Sequence, residues 1–502
     1  MLKLSPLFTD GAVLCRRKEI RIFGEADGHR TVTVCLRDAR SLLLAEAVAE
    51  VSDGRFLACL PPQEARTGCV LTVRAGDEEL ASEDVSIGDV FLAGGQSNME
   101  LELRNAQEGE ACLAHHEDAQ LRFFDIPRKA FPGPEQRAAV EAVRWDPIRP
   151  GEGGQHSAVA YFFARALRKK HPEIPVGIIG CYWGGTSILC WLEEDTLRRS
   201  AEGARFLESY AGKTAGKTME QFLKEDEVFQ RNLNDWNREV AAYRQAHPEA
   251  EWLEVEAACG ACPWNPPDGP GSPYRPCGLA ESMLRVAEPV SLTAILYYQG
   301  ETDAGVAERY DELMALLVSS WRSAFADDEL PFLFVQLPMW RAPGAEPDDS
   351  WPRLRMQQSA ARNMLRGTGM VCLLDQGEYG NLHPTAKRVV GERLHDLAES
   401  MLYGEQAPVS PRAVRKYTAG DAITVILTEE IVPVDGKPPR HLEIAGADGC
   451  FHPAFAVASG NTLRLWSREV GHPVHVRYAW TDWAGDINLF GVSGLPVEPF
   501  VF

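Results

Sequence analysis

The chain has 502 residues, more than one hydrophobic core usually serves, so two or three domains are expected. With 45% hydrophobic and 25% charged residues it has a soluble, globular composition. Its net charge of -21 argues against nucleic acid or an anionic membrane surface as a partner.

No apolar run is long enough to span a bilayer. The opening Met1-Leu-Lys-Leu-Ser-Pro-Leu-Phe lacks the uninterrupted apolar core of a secretory leader. The cytoplasm is therefore the expected location, unless a leader has been removed. The twelve cysteines are scattered and mostly sit in apolar runs, as Cys35, Cys59, Cys181 and Cys372 do. That suits reduced core thiols better than a disulfide framework. Cys259-Gly-Ala-Cys262 is a lone CxxC without the second ligand pair a structural zinc needs, so no metal is expected.

Residues 1–86 read as a small antiparallel β-sandwich. Alternating segments such as Thr31–Leu36 and Cys69–Arg74 are separated by turn signals at Asp53-Gly54 and Gly76-Asp77. From residue 87 to 408 apolar strands alternate with amphipathic helices, the pattern of an α/β domain with a mostly parallel sheet. The expected strands are Val90–Ala93, Val176–Cys181, Thr293–Tyr298, Phe332–Gln336 and Met370–Leu374. Ser157 is placed to cap a helix that bears Tyr161, Ala164 and Leu167 at helical spacing. Residues 192–276 form an insertion. It contains a polar helix over Met219–Ala246 and ends in the Pro- and Gly-rich loop Pro263–Pro276. Residues 409–502 return to β texture, with strands expected over Ala422–Leu427, Thr462–Trp466 and Val474–Tyr478.

In an open parallel sheet ligands bind beyond the carboxyl ends of the strands. Here those ends carry Gly94-Gly-Gln-Ser97, Tyr182-Trp-Gly-Gly-Thr-Ser187, Gln299-Gly-Glu-Thr-Asp303 and Asp375-Gln-Gly-Glu-Tyr-Gly-Asn-Leu-His-Pro384. Any one of these is compatible with a plain loop, but four on one rim point to chemistry. Ser97, on a strand-to-helix turn, is the candidate nucleophile, with the following helix N-terminus aimed at an incoming oxyanion. A serine hydroxyl is inert without a base, and His383, in a turn before Pro384, is the best placed of twelve histidines. The candidate oxyanion donors are the backbone N–H of Ser97, that of Gly184 or Gly185, and the Gln299 amide. Glu301 either orients another site residue or holds a sugar hydroxyl, against the alternative of a buried structural carboxylate.

Gly95-Gln-Ser-Asn-Met99, Gly184-Gly-Thr-Ser187 with Trp191, Tyr298-Gln-Gly-Glu-Thr302 and His383-Pro384 together resemble the SGNH hydrolases. More narrowly they resemble the sialate O-acetylesterase group of carbohydrate acetylesterases. The resemblance runs nearly end to end, through Gly11-Ala-Val-Leu14, Tyr274-Arg-Pro276, Val389–Leu394, Tyr478-Ala-Trp480 and Gly494–Phe500. It implies a flavodoxin-like catalytic domain flanked by two β-sandwich-like domains, with Ser97 as nucleophile and His383 as base. It also implies an O-acetylated sugar as substrate, sialic acid first, and no cofactor. Arg275 becomes a candidate for substrate binding.

One departure from the family pattern stands out. SGNH hydrolases usually place an Asp three residues before the His, and here that position is Gly380, followed by Asn381. Either Asp375 or Glu378 takes the acid's place, or a backbone carbonyl or Asn381 holds the ring as part of a dyad, or activity has been lost. An acetylxylan-type esterase and a non-catalytic glycan-binding protein are the alternatives to a sialate esterase.

Overall fold

The computed structural model describes residues 1–502 apart from 248, 249, 251 and 265. Six strands position the site: β1 (Glu78–Gly95), β2 (Asp118–Asp125), β3 (Val176–Tyr182), β4 (Ala294–Tyr298), β5 (Phe332–Val335) and β6 (Thr368–Val371). They pair in parallel in the order β2-β3-β1-β4-β5-β6. Every residue of β3, β4 and β5 is buried, as expected of continuous apolar runs covered on both faces. The register sets Gly95 opposite both Tyr182 and Tyr298, so the three central strands end level. The loops that follow them emerge side by side.

The sequence did not mark β2, because Asp118–Asp125 mixes apolar and charged residues. Arg122 is buried there because its guanidinium donates to the carbonyls of Gly11, Asp84 and Ala119, which satisfy it without water.

Two helices close the sheet on the side of the site. In α1 (Ala158–Lys170) Ser157 caps the first turn, its Oγ accepting from the Ala160 N–H at 3.2 Å. Tyr161, Ala164 and Leu167 face the core. α2 (Lys387–Leu402) follows the His383 loop, with Val390, Leu394 and Leu397 buried. Gly391 allows α2 to lie against α1: a Cβ there would come 2.6 Å from the Phe163 backbone nitrogen.

The N-terminal strands from Leu2–Leu4 to Arg66–Ala75 pair antiparallel with one another, except Val13–Cys15, which runs parallel to β1. The first part of β1 pairs antiparallel with Arg66–Ala75, and its last part joins the parallel sheet. One 18-residue strand therefore belongs to both layers and crosses residue 86 without a break. Beyond residue 409 lie two four-stranded sheets and a two-stranded one. Their core, with Ile423, Val425, Leu463 and Val476, also takes in Met339, Cys372 and Leu374 from just beyond β5 and β6.

Within the insertion, α3 (Met219–Ala246) opens on a capping box between Thr218 and Gln221 and buries none of its described residues. Among the described residues no helix is long and apolar enough to cross a membrane.

Candidate active site

Ser97 opens a single helical turn directly after β1. The turn is tight because Gly95 has φ +134°, and a Cβ there would come 2.8 Å from the Tyr298 carbonyl carbon. His383 reaches it from the loop after β6, with Nε2 at 2.8 Å from Ser97 Oγ. That loop is wired internally. Glu378 accepts from the Asn381 side chain at 2.7 Å and from the Thr385 N–H at 3.1 Å, and Asn381 Oδ1 accepts from the His383 N–H at 3.0 Å. Surrounding protein lowers the pKa of His383, and the Lys387 ammonium adds to the effect. The ring is therefore kept neutral, the form that can accept a proton from Ser97 through Nε2.

The two acids considered for the ring lie elsewhere. Asp375 forms a two-pronged pair with Arg393, both bonds at 2.7 Å, with both side chains largely buried. Glu378 spends both oxygens on the loop's own N–H groups. Among the described residues no carboxylate is hydrogen-bonded to the His383 ring, so neither Asp375 nor Glu378 stands as a third triad member. Gly380 itself has φ +74° and its absent Cβ faces Pro343, which accounts for a glycine at this position.

The oxyanion donors also need correction. The Gly184 N–H donates to Glu100, whose other oxygen pairs with Arg128. The Gln299 amide is buried and donates to Gln96 Oε1 at 3.1 Å, the Thr186 carbonyl at 3.2 Å and Asp303 Oδ2 at 2.6 Å. Its oxygen accepts from the Tyr310 hydroxyl at 2.7 Å. Gln299 thus ties the ends of β1, β3 and β4 together, and nothing of it is left for an oxyanion. The Ser97 and Gly185 N–H groups have no acceptor among the described residues, and Gly184 packs so close to Ser97 that a Cβ would come 3.3 Å from Ser97 Cβ.

Three residues that the sequence did not single out hold the pair in place. Asn98 is buried beside Ser97; its Nδ2 donates to Glu301 and, at 3.0 Å, to the Leu382 carbonyl next to His383. Its Oδ1 accepts from Lys387 Nζ. Lys387 is fully buried, lies 5.4 Å from the Tyr298 ring centroid, and is pushed down to about 7 by burial, which Glu301 and Glu378 oppose. Glu100 is the third, through its bond to Gly184. Glu301 is engaged inside this network rather than turned to a sugar. Arg275 is paired with Glu281 at 2.6 Å and is largely buried, so it does not face substrate.

Residues 263–400 match the model of the family described as carbohydrate esterase, sialic acid-specific acetylesterase. That segment resembles the family's carbohydrate esterases. The matched segment contains Gln299, Glu301 and His383, whereas Ser97 lies before it. The esterase similarity extends well beyond the segment. Sialate O-acetylesterase of Mus musculus is 24% identical over 95% of this chain and 90% of its own. That of Homo sapiens is 23% identical over 96% and 88%. A solved carbohydrate acetylesterase from Xanthomonas citri is 29% identical, covers 100% of this chain and 99% of its own, and superposes with a TM-score of 0.79. The α/β domain with its accompanying β-sheets is thus an arrangement shared with a carbohydrate esterase.

Proposed function

We propose that this protein is a serine esterase that removes O-acetyl groups from a carbohydrate, with Ser97 as nucleophile and His383 as base. The observation that carries the reading is the 2.8 Å approach of His383 Nε2 to Ser97 Oγ at the carboxyl ends of a parallel sheet. Ser97 Oγ attacks the acetyl carbonyl as Nε2 takes its proton. The carbonyl oxygen becomes an oxyanion beside the Ser97 and Gly185 N–H groups. Collapse breaks the bond to the sugar oxygen, which takes the proton back from His383 and leaves as an alcohol. Water, deprotonated by the same ring, then attacks the acetyl-serine; the bond to Ser97 Oγ breaks, Oγ takes the proton back from His383, and acetate leaves. His383 works here as one half of a dyad. Its position is fixed through Asn381 and the Asn98–Lys387–Glu301 network in place of an acid.

The strand order supports reading the catalytic part as a flavodoxin-like SGNH hydrolase. Without β2, the sheet runs β3-β1-β4-β5-β6, which in order of appearance is 2-1-3-4-5. The change to a separate hydrophobic core beyond residue 409 supports a boundary between 87–408 and 409–502, whereas residues 1–86 share one core with 87–408. The names of the relatives favour sialic acid as the sugar.

The test is acetate release from O-acetylated sialic acids and acetylated xylooligosaccharides, with 4-nitrophenyl acetate as a minimal ester. The wild type should turn over, and Ser97→Ala should be folded and inert. A folded wild type without turnover on all three, binding acetylated glycan nonetheless, would replace the esterase by a glycan-binding protein.

A further inference from the structure

One of the sheets beyond residue 409 turns a face to solvent. Its strands are β7 (Ala413–Ala419), β8 (Ala422–Leu427), β9 (Phe455–Ser459) and β10 (Thr462–Trp466), paired antiparallel in the order β7-β8-β10-β9. Successive side chains point to opposite faces of a strand. Ile423, Val425, Leu463 and Leu465 enter the core, so the residues between and beside them point outward. The register lines these up in three rows. Tyr417, Thr424, Arg464 and Val457 stand opposite one another across all four strands. Phe455 and Trp466 are paired in the row on one side, Arg415 and Ile426 in the row on the other. Phe455, Val457 and Tyr417 are 55%, 53% and 48% exposed, so no other described part of the chain lies over them.

The face joins apolar rings to unpaired positive charge. Phe455 and Trp466 stack across β9 and β10, with centroids 6.0 Å apart at 26°. The Arg464 guanidinium lies over the Trp466 ring, 5.4 Å from its centroid. Arg464 and Arg415 are both exposed, and neither pairs with a carboxylate among the described residues. No residue in the three rows is acidic. The chain has 72 acidic and 51 basic residues, so carboxylates are abundant, yet none is set beside these two arginines.

Exposed rings forgo burial, and a contiguous patch of them marks a binding surface. The charge selects the occupant. A second copy of this chain would set arginine against arginine across a two-fold axis and bring another net charge of -21. An acid-bearing ligand is complementary, because the guanidinium fork takes a carboxylate through two N–H groups. A pyranose ring has an apolar face of C–H groups that lies on an aromatic ring while its hydroxyls stay in water. A carboxylated sugar has both features. The face is about 14 Å wide across its four strands, room for more than one such ring.

We propose that this face is a second glycan-binding site, outside the Ser97–His383 site, for a chain of carboxylated sugars of the sialic acid type. Arg464 and Arg415 take the carboxylates, and Phe455 and Tyr417 carry the rings. The site binds without reacting and holds the enzyme on a polymeric substrate. The choice of a glycan over another acidic polymer rests on the esterase reading above.

The experiment uses the full chain and its Phe455→Ala, Arg464→Gln and Arg415→Gln variants, none of them at the active site. Calorimetry reads the binding of an unacetylated α2,8-linked sialic acid hexamer, of xylohexaose and of poly-glutamate. The wild type should bind the sialic acid hexamer at least about tenfold more tightly than the other two. Each variant should lose about tenfold on the hexamer, the scale of one charge-assisted hydrogen bond or aromatic contact, at the melting temperature of the wild type. All should stay within about twofold of wild type on 4-nitrophenyl acetate. No binding of the hexamer overturns the proposal, and so does binding that the variants leave unchanged, which puts the sugar elsewhere. Equal binding of poly-glutamate makes the face a general acidic-polymer patch, and equal binding of xylohexaose removes the arginines from recognition; either overturns it. Wild-type dimers in sedimentation that Phe455→Ala disperses would make the face an interface between copies instead. The binding readout needs no ester hydrolysis. Hexamer binding lost in the variants supports the site even if the wild type turns over no ester, and full esterase activity without hexamer binding sinks the site alone.

Discussion

Asn98→Ala tests how the dyad is held. The change removes one hydrogen bond to the Lys387 ammonium, one to the Glu301 carboxylate and one to the Leu382 carbonyl, all in a buried setting. Hydrogen bonds to charged groups are worth about 1.5–3 kcal/mol each and a neutral one about 1 kcal/mol, so up to about 4–7 kcal/mol is at stake. Part of it is lost as stability, because an ammonium and a carboxylate stay behind with fewer partners. The rest appears in the chemistry. Freeing the Leu382 carbonyl unpins the peptide next to His383, and a shift of about 1 Å in a reacting group costs about 10²-fold. The expected result is a folded protein of lower melting temperature, with kcat on 4-nitrophenyl acetate down about 10²-fold and KM little changed. Adding Lys387→Met should cost less than the sum of the single changes, since the ammonium that Asn98 satisfied is then gone. A stable Asn98→Ala protein with kcat within about twofold of wild type would refute the reasoning, and would leave Asn98 as ordinary packing.

Gln299→Ala should act on stability rather than on the oxyanion, by a few kcal/mol for the buried acceptors left on Gln96, Thr186 and Asp303; a kcat loss of about 10²–10³ at unchanged melting temperature would return it to the oxyanion hole. Asp375→Asn should destabilise by about 3–5 kcal/mol through the stranded Arg393 and leave kcat within about tenfold, as Glu378→Gln should; a loss near 10⁴, the cost of the amide change in the serine-protease template, would make either one the acid. The pH dependence has a definite sign. The base must be neutral, and burial and Lys387 depress the His383 pKa, so activity should persist below the usual histidine range and be lost only as pH falls through the depressed value. Lys387→Met should move that acid limb of kcat/KM upward; a downward shift or none would remove Lys387 from the electrostatics of the ring.

The sequence made the strand ends legible, and with them the residues that meet there. Gly94-Gly95 before Ser97 and the histidine before Pro384 are local signals, and local signals survive translation into a turn. What stayed hidden was how each donor is used. A glycine N–H and a glutamine amide look free in one dimension, but Glu100 takes the Gly184 N–H across 84 residues and Gln96 takes the Gln299 amide across 203. Lys387 gave no signal in the sequence, because nothing in its neighbours says that the helix end turns inward onto Asn98. Asp375 was misplaced for the same reason, its partner Arg393 lying 18 residues on, one face round α2. Proximity along the chain suggested the acid, and the guanidinium on the helix decided otherwise.

The strand β1 has a consequence for how the molecule comes apart. Its first half is paired with the N-terminal antiparallel layer and its last residues carry the turn into Ser97. Pulling the early strands away would strip one rail from β1 and fray it toward Gly95, so loosening near the N-terminus travels along a single backbone to the nucleophile. A fragment begun at residue 87 would start in mid-strand, with its cut end exposed as an edge for other chains to pair with. The amides of Val90 to Ala93 should accordingly exchange with deuterium in the same slow, concerted step as those of Leu71 and Val73 on the strand paired with the first part of β1, and proteolytic separation at residue 86 should cost activity without touching a catalytic side chain.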